Sequence, residues 1–268
     1  MNKFKKLLPH IYVLLIMLFF YLPIIYVVLF SFNESKSLTN FTGFSLHWYE
    51  EMFNNRTMTE SVYYTIIIAL LATVISTIVG TITAIGLSKS KRLIKELVTQ
   101  VNNLPMLNPE IVTAIGLMIL FTTLNIEKGF MTLLLSHIAF CIPYVMLSVM
   151  PRLRRLDKNV AEAALDLGAT PFQALYKVII PQITPGIISG ALIAFTMSFD
   201  DFVISYFTTG PGINTIATYV YSAHKRINPT INALSTIIVL VITIALILVN
   251  LLPYLASKSK RKKQLLDY

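Results

Sequence analysis

The run LLPHIYVLLIMLFFYLPIIYVVLFSF, residues 7–32, contains no Asp, Glu, Lys or Arg. A helix rises about 1.5 Å per residue and a bilayer's hydrocarbon core is about 30 Å thick, so roughly 20 such residues cross it. The run follows Lys3, Lys5 and Lys6 as the core of a signal peptide would. It is far longer than the usual ~7–15 apolar residues and has no small-x-small cleavage site, so it is expected to remain as an anchor. Five further apolar runs follow at 61–87, 98–123, 130–150, 186–207 and 231–255. Pro105, Asn108, Pro109 and Glu110 interrupt the third, which a kinked helix lining a cavity tolerates and a lipid-facing one does not. Composition agrees: 55% of the 268 residues are hydrophobic and 13% charged, about half of the usual ~25%. An ordinary soluble domain is excluded. The expectation is an all-α membrane protein, one domain over residues 1–268 with six transmembrane helices.

The 22 Lys and Arg residues fix an orientation. With the amino terminus in the cytoplasm, only Lys36, Arg56, Lys128, Lys225 and Arg226 fall outside, and the other 17 flank the spans on the inside. The positive-inside rule therefore predicts that both termini are cytoplasmic. Because these cations are short flanks and not one continuous stripe, the net charge of +9 does not indicate nucleic acid. The single cysteine, Cys141, lies in an apolar run and leaves no disulfide within the chain and no cysteine-based zinc cluster. In the longest outside segment, residues 33–60, Trp48 and Tyr49 are read as a headgroup anchor, with a docking surface as the alternative.

Residues 151–185 are too well patterned for a linker. In DKNVAEAALDLGA, Asp157 suits a helix start, Val160, Ala163, Ala164 and Leu167 form an i, i+3, i+4, i+7 stripe, and Gly168 suits a positive-φ stop. Thr170, Pro171 and Gln173 then spell a capping box with proline at the first position, followed by the stripe Phe172, Leu175, Tyr176, Ile179. Pro181 is expected to end that helix. The two stripes need cover, from the chain's own span ends or from another protein.

Glu162-Ala163-Ala164, three residues, Gly168-Ala169, then Val178-Ile179-Ile180-Pro181 resembles the EAA loop of permease subunits in binding-protein-dependent ABC importers, EAA-x3-G-x9-I-x-L-P. Val178 and Ile180 stand at the usual Ile and Leu. Further stretches resemble the permease subunits of spermidine/putrescine importers: Tyr21-Leu22-Pro23, Ser31-Phe32-Asn33, Trp48-Tyr49, Pro109-Glu110-Ile111-Val112, Ser198-Phe199-Asp200-Asp201-Phe202 and Gly210-Pro211. Glu110 stands where Asp is usual in that subunit, and ferric iron and thiamine permeases share parts of these motifs. The resemblance implies a type I importer permease (MetI-like) fold in a bacterial inner membrane, with a cytoplasmic coupling helix. It also implies a second homologous permease subunit, two copies of an ABC ATPase that use ATP and Mg, and an extracytoplasmic substrate-binding protein. ATPase-coupling roles fall to Glu162, Ala163, Ala164, Gly168, Ala169 and Pro181.

The chain carries no GxxxxGK[ST] loop, so nucleotide is expected to be hydrolysed elsewhere; with no HExxH or GxSxG either, the expectation is that the chain binds no cofactor and is not itself an enzyme. An intramembrane protease built on Asp200 and Asp201 is disfavoured, because adjacent helical residues point about 100° apart and cannot share a proton as a dyad does. A cation channel would have no use for the EAA loop. His137 has no second His or Cys at ligand spacing and is read as a buried, hydrogen-bonded histidine, with no metal site. Glu110, Asp200 and Asp201 are costly inside spans and, with Tyr206 and Phe207, are the candidate cation-attracting part of a substrate pathway.

Overall fold

The computed structural model describes residues 3–223, 229–244 and 247. Apart from one antiparallel bridge between Asn33 and Phe44, the described residues form helices and loops. In chain order they are α1 (Lys3–Ser31), α2 (His47–Asn54), α3 (Arg56–Ser88), α4 (Arg92–Leu107), α5 (Glu110–Thr123) and α6 (Phe130–Arg155). There follow α7 (Lys158–Asp166), α8 (Pro171–Ala174), a π-turn (Leu175–Ile179), α9 (Ile180–Phe199), α10 (Val203–Thr208), α11 (Ile216–Ala223) and α12 (Pro229–Ile244). Four stretches are long and apolar enough to cross a membrane: Pro9–Ser31, Arg56–Ser88, Phe130–Arg155 and Pro171–Phe199. The pair α4 and α5 makes a fifth if counted as one broken span. α12 is apolar but shorter, and the rest of the run expected at 231–255 lies outside the described residues, as does the basic stretch after it.

Two of the expected spans are corrected. The third is not one kinked helix over 98–123, because α4 and α5 meet at 108°. Proline at 109 forces Asn108 out of the helical region, to φ −85° and ψ 148°, and Pro109 itself is extended at ψ 134°. Two extended residues in succession turn a corner. The fifth does not run from 186 to 207: the helical path begins at Pro171, passes through Pro181 and stops at Phe199. Pro181 does not end the helix, because the wider π-turn before it closes with Ile180 N–H on the Leu175 carbonyl, relaxing the register where proline offers no donor.

The chain forms two compact units, residues 1–59 with 223–268 and residues 60–222. In the first, Asn33 organises the segment after α1. Its side-chain amide donates to the carbonyls of Ser37 (2.8 Å) and Asn40 (2.9 Å), and its Oδ1 accepts from the Thr42 N–H (2.8 Å). Trp48 donates its indole N–H to the Asn33 carbonyl and is 2% exposed. Trp48 is thus the core of this segment and not a headgroup anchor. Phe41, Phe44 and Phe53 are the exposed aromatics.

The second unit is built around α6, which packs against α4, α5, α9 and α10. Val145, fully buried, is clasped between glycines of two neighbours: a Cβ on Gly80 of α3 would lie 2.9 Å from its side chain, and one on Gly190 of α9 would lie 3.1 Å from its Cα. Without a hydrophobic drive between helices in lipid, such close approach supplies the packing energy. Gly190→Leu should therefore destabilise the protein by about 1–3 kcal/mol through overpacking. The melting temperature in detergent should fall, while Gly86→Ala, where a Cβ meets open space, should leave it unchanged.

Candidate functional site

The break after α9 brings the acidic residues together. Asp200 closes α9 through its N–H on the Thr196 carbonyl and is solvent-exposed. Asp201 turns inward, 5% exposed, where Oδ1 accepts from the Ile204 N–H (3.2 Å) and Oδ2 from the Ser205 N–H (2.7 Å). Those two donors open α10 and would otherwise be orphaned, so Asp201 caps that helix. α10 packs on α5, whose first residue, Glu110, is half-buried and interacts electrostatically with both Asp201 and Asp200. All three predicted carboxylates are thus neighbours, but their surroundings differ: Asp201 is buried, holding two backbone N–H groups and meeting the side chains of Glu110 and His137, Glu110 is half-buried, and Asp200 is exposed.

A cluster of aromatics follows the break in the chain. Tyr206, 48% exposed, contacts Phe202 and Tyr221 (both 5.5 Å between ring centroids) and Phe207 (5.4 Å), and Phe202 meets Tyr221 at 4.9 Å. Phe207 is half-buried against the core around Val145. Phe202 stands in the sequence only as part of the Ser198–Phe202 motif, without a site role, and Tyr221 stands in no motif. The i, i+4 spacing of Phe202 and Tyr206 could have flagged the first; nothing in the sequence ties Tyr221 to them. Carboxylates beside aromatic faces are suited to an organic cation, which exchanges hydration for both. Among the described residues no His, Cys, Asp and Glu group is arranged to hold a metal ion.

The second candidate is the segment after α6. Asp157 caps α7 by accepting the Asn159 N–H (3.0 Å), and Gly168, at φ +84°, ends it in a Schellman turn. In that turn the Ala169 N–H reaches the Ala164 carbonyl (3.0 Å) and the Gly168 N–H that of Leu165 (2.9 Å). Thr170 and Gln173 form the reciprocal capping box, at 3.0 and 3.3 Å. The stripe after it divides at its edges: Leu175 and Ile179 pack into the core, whereas Phe172 and Tyr176 are 74% and 64% exposed. With Leu167, 89% exposed, they leave an uncovered apolar surface on a short helix pair. Glu162, Ala163 and Pro181 are exposed, and Ala164 and Ala169 half-buried. Glu162 also lines a cleft of about 540 Å³ whose rim carries Lys89, Lys95 and Arg154.

Four helices of membrane-crossing length, or five with the broken pair, make the chain a multi-pass membrane protein. The chain belongs to the family of binding-protein-dependent transport system inner membrane components, which residues 76–261 match. It is 38% identical over 233 residues to the spermidine/putrescine transport system permease protein PotC of Haemophilus influenzae, covering 87% of this chain and 90% of that one. It is also 38% identical over 232 residues to the putrescine transport system permease protein PotI of Escherichia coli, covering 82% and 81%. Among solved structures it resembles a chain of a bacterial ABC transporter involved in the import of the acidic polysaccharide alginate, with TM-score 0.70 over 95% of this chain and 98% of that one. A second structure, the alginate transporter in complex with an alginate pentasaccharide-bound periplasmic protein, matches at TM-score 0.68 over 90% and 91%. At 16% and 15% identity these two speak for the fold alone.

Proposed function

We propose that the chain is one permease subunit of an ATP-driven polyamine importer. It forms half of the pathway, a second homologous permease forms the other half, and an extracytoplasmic binding protein delivers spermidine or putrescine. The observation that carries this reading is the grouping of Glu110 and the exposed Asp200 with the Phe202, Tyr206 and Tyr221 rings. A polyamine is a flexible chain of ammonium groups, and it needs anionic and aromatic partners when it leaves water. The names of the 38%-identical relatives support the same substrate class. ATP and Mg are used by two copies of a separate ATPase. The uncovered Leu167, Phe172 and Tyr176 are the surface those ATPases take hold of, with Glu162 and Gly168 in the coupling loop. ATP-driven closure of the ATPases then moves α7 and α8, and through the continuous helix into α9 it reaches the break at Asp200.

The test is uptake of labelled spermidine and putrescine by the complete complex in proteoliposomes, with alginate oligosaccharide and thiamine as controls. Uptake of a control in place of the polyamines would overturn the substrate class. The orientation makes its own prediction, motivated by the basic flanks: both termini are cytoplasmic. In a Cys141→Ser background, a membrane-impermeant thiol reagent should label Ser37→Cys from outside intact cells and should leave Ser257→Cys unlabelled. External labelling at 257 would reverse the topology.

A further inference from the structure

His137 is fully buried, two turns into α6. Both its ring nitrogens are nonetheless used. Nδ1 shares a hydrogen bond with Ser198 Oγ (2.7 Å), near the end of α9, and Nε2 one with Ser205 Oγ (3.0 Å), in the first turn of α10. Nε2 also lies 3.5 Å from Asp201 Oδ2, the oxygen that holds the Ser205 N–H. One imidazole therefore grips the chain on both sides of the break, residues 200–202, in which Asp200 sits. Five residues earlier in α6, Thr132 Oγ1 donates to the Thr208 carbonyl (2.9 Å), so α10 is tied to α6 near both of its ends. Only the His137 tie also reaches α9.

We propose that His137 is a positioning residue: its bridge from Ser198 to Ser205 fixes the α9–α10 break and so sets where Asp200 stands in the substrate pathway. This rests on the pathway role given to Asp200 above. The logic is that of a short rigid link between two helix ends. Without it, α9 and α10 are held to α6 by separate ties, Cys141 Sγ to the Ala194 carbonyl (3.4 Å) and Thr132 to Thr208, and the peptide carrying Asp200 between them gains freedom. A buried network with all its members satisfied rigidifies its surroundings in this way, and a partly satisfied one does not. No proton needs to move, and that separates positioning from a relay.

The separation is testable because a glutamine amide presents an acceptor and a donor about as far apart as the two imidazole nitrogens, without titrating near neutrality. In the complete complex in nanodiscs, His137→Leu should speed amide exchange in the peptide spanning residues 199–208 and lower polyamine uptake by about tenfold, the loss of roughly one buried hydrogen-bond bridge. Ser198 and Ser205 can turn their hydroxyls to the carbonyl one turn back, so the leucine variant has a route to fold. His137→Gln should restore slow exchange and most of the uptake. The effects of His137→Leu and Asp200→Asn should not multiply, because each removes the same placed carboxylate. Wild-type exchange in His137→Leu would overturn the tie. Loss of uptake in both His137→Gln and His137→Leu would overturn positioning by hydrogen bonds in favour of proton transfer. Lost uptake in His137→Leu with normal uptake in Asp200→Asn would overturn the link to Asp200, and the Asp200→Asn arm by itself reports on the pathway reading separately.

Discussion

Asp200→Asn should cut uptake of labelled spermidine and putrescine by at least about tenfold, on the order of 1.4 kcal/mol at the rate-limiting step, while the complex still assembles and hydrolyses ATP. The side chain is exposed at the break after α9 and its amide isostere keeps size and hydrogen-bonding shape while removing the charge. Glu110→Gln should act in the same direction, since Glu110 faces the same group of carboxylates from the start of α5. Asp201→Asn is expected to fail differently. Asp201 accepts two backbone N–H groups at the start of α10, and the amide keeps only one acceptor oxygen for them. One of the two N–H groups then faces the amide NH2 and loses its acceptor, which should show as lower thermal stability and weaker assembly, not only as slower uptake. Wild-type uptake by Asp200→Asn and Glu110→Gln would make the carboxylates structural and remove the mechanistic support for a cationic substrate.

Gly168→Val should abolish coupling between ATP hydrolysis and uptake while leaving the protein in the membrane. Gly168 sits at φ +84° with open space around it, so the cost of a side chain there is conformational and not steric. A β-branched residue resists the left-handed region by more than the ~1–2 kcal/mol typical of L-residues. The Schellman turn that sets the angle between α7 and α8 would open, and with it the shared surface of Leu167, Phe172 and Tyr176. Gly168→Asn, which tolerates positive φ, should retain most of the coupling. The comparison reads backbone geometry alone. Uptake and ATPase activity are measured together, and normal uptake per ATP in the valine variant would remove the coupling role of the turn.

Features that close within a few residues were legible from the chain alone. Apolar runs near 20 residues announce membrane helices because lipid leaves a backbone no alternative to internal hydrogen bonds. The caps at Asp157 and Thr170 and the stop at Gly168 were legible because each bond closes within a few residues, and all three stand where the pattern put them. What spans distance in the chain was not legible. The pair Asp200 and Asp201 reads as two acids that point different ways, but which one turns inward is decided by tertiary packing: Asp201 becomes a buried cap and Asp200 stays open, since the helix ends before them. Pro181 reads as a stop, but a π-turn supplies the register change that carries the helix on. Pro109 marks a break, but the 108° corner comes from two consecutive extended residues. Trp48 reads as an interfacial anchor until the Asn33 carbonyl, fifteen residues back, takes its indole N–H. His137 joins Ser198 and Ser205 across more than sixty residues. Such partners are fixed only when helices pack, because burial removes water as a competing partner and makes every polar group inside depend on whichever other group the fold brings near.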